Sequence, residues 1–322
     1  MSLYIFNDQV RSTATELVDQ DVQKFNEASA GTLILGNQFV IGDYVEQAMW
    51  QLVDGIANRR NAYGGTTAVD AQTLGQVLDR SVKIDGRVGP LNITGTMMRR
   101  IGAGDTEPAA VVAAQASAAM FQDYLNTTAA CLVAAIGNNA DLVKDISGET
   151  GTAANISMQG LNKANALMGD RSQQIRAYIM HSMAFHSLID QAINNVESLF
   201  VIGDLTVYKD FLGRRYVVSD IPQLSAGEGV YNTLGLTPSA AIVQVGGLYD
   251  MVTAEKTGGQ NILRQMQGEY DFNVSLKGYS WVGQKTGQSP TDEELATASS
   301  WSKTATSNKD TAGVILKAKS AI

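Results

Sequence analysis

With 322 residues, 44% of them hydrophobic and 17% charged, the chain can bury one large or two medium cores, which excludes a disordered chain. Its 32 acidic residues outnumber 24 Lys and Arg for a net charge of −8, and the cations are dispersed, which excludes the basic stripe needed to wrap nucleic acid tightly. The single cysteine, Cys131, excludes an intrachain disulfide and suits a reducing compartment as an inert buried thiol.

The first residues, Met1 to Asp8, carry no basic segment followed by an apolar core, so no secretory signal is expected. The triplets Asn92-Ile93-Thr94 and Asn155-Ile156-Ser157 therefore need not be glycosylated. From Asp8 to Ala28, Val10, Leu17, Val18, Val22 and Phe25 stand between charged residues and predict an amphipathic helix stopped by Ser29-Ala30-Gly31. Its apolar face has two destinations: a neighbouring molecule, or the helix's own domain.

Between Thr32 and Thr94 the texture becomes β-like. Short runs at 32–35 and 38–41 are punctuated by Gly36-Asn37 and Gly42-Asp43, and Val82 to Val88 alternates as a strand. The stretch from Asn58 to Thr67 is polar and Gly-rich. The pattern describes an arm that goes out and returns, too thin for a core of its own and stable only against a neighbour. An ordinary small β-subdomain is the other reading.

Thr106 to Gly137 then reads as one long helix with almost no charge. Asp105 or Thr106 can cap it, Glu107 suits the positive end of the dipole, and Pro108 is tolerated in the first turn. At ~1.5 Å per residue it spans about 45 Å. Phe121, Leu125, Thr128, Leu132 and Ile136 share one side, expected to pack, whereas Gln115, Gln122, Asp123 and Asn126 share another, expected to be wet. Gly137-Asn138-Asn139 is expected to end it in the left-handed region. Gln, Asp and Asn in its middle and the lack of basic flanks argue against a membrane span.

The remainder reads as a compact mixed domain and a returning tail. A loop is expected at 144–155, helices at Ser157–Met168 and Ser182–Asn194, and strands at Ile175–Met180, Val217–Asp220 and Ala240–Val245. Asn273 to Trp281 reads as one strand. Ser289 or Thr291 is expected to cap a short helix reaching near Trp301, with Pro290 in its first turn and Glu294 three after Thr291 as in a capping box, and Val314 to Ala318 is a final strand.

Sites of chemistry are scarce. His181 and His186 are five apart and do not share a helical face as zinc ligands do; Ser182 is expected to cap the next helix, and no Gly-x-Ser-x-Gly elbow surrounds it. The run Gly283-Gln284-Lys285-Thr286-Gly287 lacks the spacing of a phosphate cradle. No catalytic, cofactor-binding or metal-ligating residue is assigned, and no cofactor is expected.

Two stretches resemble a known family. Met168-Gly169-Asp170, Ile179-Met180-His181-Ser182 and Phe211 to Pro222, with Gly278 to Trp281, Ser289 to Thr297 and Ser300-Trp301, are similar to tailed-bacteriophage major capsid proteins of the Hong Kong 97 type. The resemblance implies an α+β shell fold: an N-terminal arm (1–31), an extended β loop (32–95), a peripheral domain with the spine helix (96–154 and 270–322), and an axial domain (155–269). It implies a non-enzymatic subunit whose hexamers and pentamers form an icosahedral virion head around double-stranded DNA, touched weakly and nonspecifically. Assembly would occur in the bacterial host cytoplasm, with portal, scaffolding or decoration proteins as further partners and no membrane. No charged helical segment of scaffolding type precedes the arm, and no Lys–Asn pair is identified for the cross-link some members form. A cellular encapsulin-like compartment shell is the alternative within this fold, and a small-molecule enzyme built on 155–250 the alternative outside it.

Overall fold

The computed structural model describes residues 3–36, 41–50, 56–60, 62–65, 68–94, 106–192, 196–202, 205–210 and 213–321. The chain begins with α1 (Leu3–Ala28), β1 (Leu33–Gly36), β2 (Tyr44–Trp50) and β3 (Gln76–Thr94), then α2 (Thr106–Gly137). Next come β4 (Val143–Asp145), α3 (Met158–Asn165), β5 (Ala177–Met180), α4 (Ser182–Ala192), β6 (Val196–Ile202), β7 (Leu205–Asp210) and β8 (Arg215–Val218). The chain continues through β9 (Ser225–Gly227), β10 (Val230–Leu236), β11 (Ala241–Lys256), β12 (Leu263–Leu276) and β13 (Tyr279–Trp281). It closes with α5 (Asp292–Leu295), β14 (Trp301–Lys303) and β15 (Gly313–Lys319).

Two mixed sheets result. One runs β1-β11-β12-β13-β14, with β3 on β12 and β2 on β3; the other runs β4-β15-β10-β5-β8-β7-β6, with β9 on β10. Strands of both sheets pack on α2. Phe121, Leu125, Thr128, Leu132 and Ile136 are buried, as their spacing predicts. The opposite side differs from expectation in part, for Gln115 is exposed as expected. From Thr127 to Ile136 only Val133 is not fully buried, and Gln122, Asp123 and Asn126 are half-buried, because protein surrounds this half of the helix. The helix end is also a correction: Gly137, Asn138 and Asn139 do not turn left-handed. Instead Asn138 Nδ2 donates to the Trp301 carbonyl at 3.1 Å, and Asn139 Oδ1 accepts from Asp141 N at 3.3 Å to cap the next turn.

The first helix folds back on its own chain. Val10, Ala14, Val18, Val22 and Phe25 form an apolar stripe at three- and four-residue steps, each 3% exposed or less, and Phe25 meets Phe121 edge-on at 5.5 Å. This decides the alternative left open by the sequence against a neighbour. Ala30 and Gly31, at φ of 57° and 65°, stop α1 as expected. Asn26 then seals the edge of β1: its Nδ2 donates to the Leu35 carbonyl at 2.6 Å and its Oδ1 accepts from Leu35 N at 2.8 Å. From the second sheet, Arg215 Nη1 donates to the Glu27 and Ala28 carbonyls at 2.9 and 2.6 Å, a cation at the negative end of the helix dipole.

Long-range packing explains the remaining differences. Tyr270 stands opposite Gly86, where any Cβ would come within 2.2 Å of its ring, and its hydroxyl donates to Asp123 Oδ2 at 2.7 Å. The expected loop at 144–155 begins as β4, parallel to β15. The single strand expected over Asn273–Trp281 is two, folded at Gly278, whose φ is 78°. The capping box of Thr291 and Glu294 is present, but α5 stops at Leu295 rather than near Trp301. Trp301 opens β14, donates its indole N–H to the Leu295 carbonyl at 3.0 Å and meets Trp281 edge-on at 5.1 Å. Of the run expected at 38–41 only Ile41 is described, in exposed coil. The cap expected at Asp105 lies outside the described residues.

Leu125→Ala is expected to cost ~2–5 kcal/mol through lost burial and the cavity left behind, and Gln122→Ala far less. Thermal melts of the two variants check this; equal losses would contradict the packing of α2. Arg215→Leu is expected to cost on the order of 1 kcal/mol. It should accelerate amide exchange in the last turn of α1 while β5 stays protected, and unchanged exchange in that turn would show that the arginine does not hold the helix.

Candidate assembly interface

The groups with chemical potential hold backbone in place. His181 Nδ1 accepts from Met183 N at 3.2 Å and lies 3.4 Å from Asp220 Oδ1, which accepts from Ser182 N at 3.0 Å. The start of α4 is thus capped by His181 and Asp220, not by the Ser182 hydroxyl as expected. Burial works against the Asp220 carboxylate, yet hydrogen bonds from Ser182 and the nearby His181 and His186 outweigh it and hold the carboxyl below its ordinary value. Cys131 is fully buried, and burial, with a smaller contribution from the Asp292 charge, pushes its thiol far up. Among the described residues no three His, Cys, Asp or Glu gather as a metal site. No helix among them is long and apolar enough to cross a membrane.

The surface that stands out is the excursion between β1 and α2. Its inner half is anchored: β3 pairs with β12 from Val82 to Thr94. Lys285 ties down the root, its ammonium 4.4 Å from the Tyr44 ring centre, 3.4 Å from Asp43 Oδ2 and donating to the Gln288 carbonyl at 2.6 Å. The run Gly283–Gly287, which lacks phosphate-cradle spacing, therefore has a packing role. Arg80 adds an ion pair to Glu46 and lies over the same ring at 5.1 Å. Beyond Val82, residues Gln76–Ser81 have β2 as their only strand partner among the described residues, a two-stranded ribbon whose inner end is still held to the body, Ser280 Oγ accepting from Arg80 N at 2.9 Å and Ser81 Oγ accepting from Asn273 Nδ2 at 2.8 Å. Residues 56–60, 62–65 and 68–75 are without helix or strand.

This ribbon and its described tip carry large apolar side chains in solvent: Trp50, Ile56, Val69, Leu74 and Leu78 are exposed, and Tyr63 is fully so. Arg59 and Arg60 are exposed beside them. A two-stranded ribbon is marginal in water, and a run of bare apolar residues on a thin projection marks a surface that another protein covers. The sequence located the projection through its turns and short strands. It gave no sign of the Lys285 anchor, which joins residues more than two hundred positions apart.

The sequence matches the model of the Gp13-like family, described as Major capsid protein 13-like, over residues 2–315. No curated protein matches it. Among solved structures, the chain is similar to one titled Cyanophage Pam1 capsid asymmetric unit, at 11% identity over 87% of this chain and 86% of that chain, with a TM-score of 0.51. It is also similar to the Capsid of Ralstonia phage GP4, at 14% identity over 90% of this chain and 88% of that one with a TM-score of 0.45. A third, Mycobacterium phage Bobi, shows 12% identity over 81% and 83% of the two chains, with a TM-score of 0.47. The Pam1 likeness carries the fold, a phage capsid shell fold, at a level of identity that says nothing more. Because the family match runs through the first helix, the projecting ribbon, the spine helix and both sheets alike, the chain belongs to the Gp13-like major capsid proteins and is a subunit of a tailed-phage head shell.

Proposed function

We propose that shell assembly proceeds by laying the 32–95 excursion on adjacent copies, within hexamers and pentamers of an icosahedral head enclosing double-stranded DNA. The exposed Trp50, Ile56 and Val69 on a thin projection carry this reading. In the closed lattice each such side chain gains a partner surface that its own subunit does not provide. The first helix is not part of this exchange through its apolar stripe, which its own subunit already covers.

The domain division belongs to the same proposal. Residues 1–31 form the arm and 32–95 the extended loop. The peripheral domain is built from α2 and the first sheet, the axial domain from the second sheet. Sheet membership supports assigning β11 and β12 to the peripheral domain and β15 to the axial domain, which moves parts of 155–269 and 270–322 across the sequence-based boundaries. The role is structural and non-enzymatic, with assembly in the host cytoplasm and portal, scaffolding or decoration proteins as further partners. Contact with the packaged DNA is weak and nonspecific, since the net charge is −8.

Deleting residues 57–66, or replacing Trp50 and Tyr63 together by Ser, is expected to leave the subunit melting transition nearly unchanged while closed shells fail to form. Electron microscopy of the purified variants checks the outcome, and normal shells would overturn the reading. For the isolated subunit, duplex DNA binding at physiological salt is expected to be weaker than roughly 10⁻⁶ M, the tight end of ordinary nonspecific affinity. A titration showing tighter, salt-resistant binding would refute the diffuse contact.

A further inference from the structure

Where the ribbon leaves the body, β2, β3, β12 and β11 stand side by side, and on one face they form an open trough of about 100 Å³. Val45 and Ile242 supply its apolar lining, and Ser81 and Asn273, 5% and 1% exposed, lie deepest. Toward the ribbon, Asp79 and Gln47 complete it as a cross-strand pair. Asp79 is the one charged group in the lining.

No group among the described residues balances this carboxylate. Asp79 Oδ1 is buried without a hydrogen-bond partner. Asn273 Nδ2 donates to Ser81 Oγ at 2.8 Å and to Gln244 Oε1 at 2.9 Å, and Ser81 Oγ donates to the Val45 carbonyl at 3.4 Å, so these donors are spent within the trough. Asn273 Oδ1, also buried, has no partner, which leaves acceptors in excess. The nearby cations are committed as well: Lys83, on the same face of β3, pairs with Asp271 at 2.6 Å, and Arg80 pairs with Glu46. Burial raises the Asp79 carboxyl above its ordinary value. A half-buried carboxylate with neither donor nor cation is costly, and a cation arriving from outside removes that cost.

We propose that the trough receives Arg59 or Arg60 from the ribbon tip of a second copy, the guanidinium meeting Asp79 and the methylene stem lying on Val45 and Ile242. The two arginines are adjacent and exposed on the described tip, and neither has an ion-pair partner among the described residues. An arginine suits a trough of this make-up, with a planar fork for a carboxylate and an apolar stem for the lining. The inference rests on the reading that the excursion lies on adjacent copies, and it adds where the tip lands. Tip and root are different surfaces, so the contact is head-to-tail: each copy gives one tip and accepts another, and repetition of that step closes a ring. The ion pair fixes the register of the contact, while the bare apolar side chains of the ribbon supply its area.

The test is charge reversal in the full-length subunit, read as closed shells counted by electron microscopy. Asp79→Arg alone, and Arg59→Asp with Arg60→Asp, should each lower the yield of shells at least roughly tenfold, because like charges then meet, while the subunit melting transition stays near wild type. All three substitutions together should restore shells, since the pair is re-formed with its signs exchanged; a merely structural role for Asp79 gives no such rescue. Cross-linking keeps the test open if Asp79→Arg fails to fold. Cys131 is fully buried, so oxidising a mixture of Asp79→Cys and Arg60→Cys subunits should yield disulfide-linked dimers well above either variant oxidised alone. Absence of both rescue and cross-link would overturn the proposal. Loss of shells with Asp79→Arg but not with the arginine reversals would give the trough another occupant and overturn it too. Normal shells from both reversals, with none from the 57–66 deletion, would sink this inference while leaving the reading of the excursion standing.

Discussion

The structure depends on having to bury α2. A helix of 32 residues with so little charge cannot stand in water, and burying each large apolar side chain contributes about 1.5–3 kcal/mol. A single sheet covers only one side. The protein meets the demand with α1 along one flank, strands of both sheets on others, and the short helices after β8 and β13 filling the rest. Both sheets are thereby fixed to one rod. The half-buried polar side is the price of that arrangement, because Asp123 and Asn126 lie where closure is incomplete.

Local features of this plan were legible in the sequence. The stripe from Val10 to Phe25 has helical spacing, and the Thr291–Glu294 capping box is a short-range signature. Each depends on residues a few positions apart, where propensity and hydrogen bonding act without outside help. The ribbon could be read in part, since turn dipeptides and thin strands are local, but β1 and Val82 to Thr94, read as belonging to the same arm, lie in the first sheet of the body with Leu33, Leu35 and Val82 buried.

What stayed hidden depends on distant partners. Gly86 has no meaning until Tyr270 lies over it, and the half-burial of Asp123 depends on that same ring. The asparagines after α2 looked like left-handed stops, whereas their side chains are drawn to Trp301 and Asn308 more than 160 residues on. Sheet membership was likewise unreadable: β15 pairs with β10, and β11 with both β1 and β12, through register that no short window contains. The trough at the ribbon root was missed because only the sheet brings Asp79 beside Asn273 and Ile242.

The double attachment of α1 has a mechanical consequence. Its end is hooked to the first sheet through Asn26 and to the second through Arg215, within two residues of each other on the chain. Any twist of one sheet against the other concentrates torque on this short span, while the long stripe on α2 resists it along the whole lever. Both hydrogen bonds of Arg215 leave from the one nitrogen Nη1, so a single guanidinium carries the link of the helix end to the second sheet, and as charge-assisted bonds they are stronger than the neutral amide bonds of Asn26 that carry the link to the first.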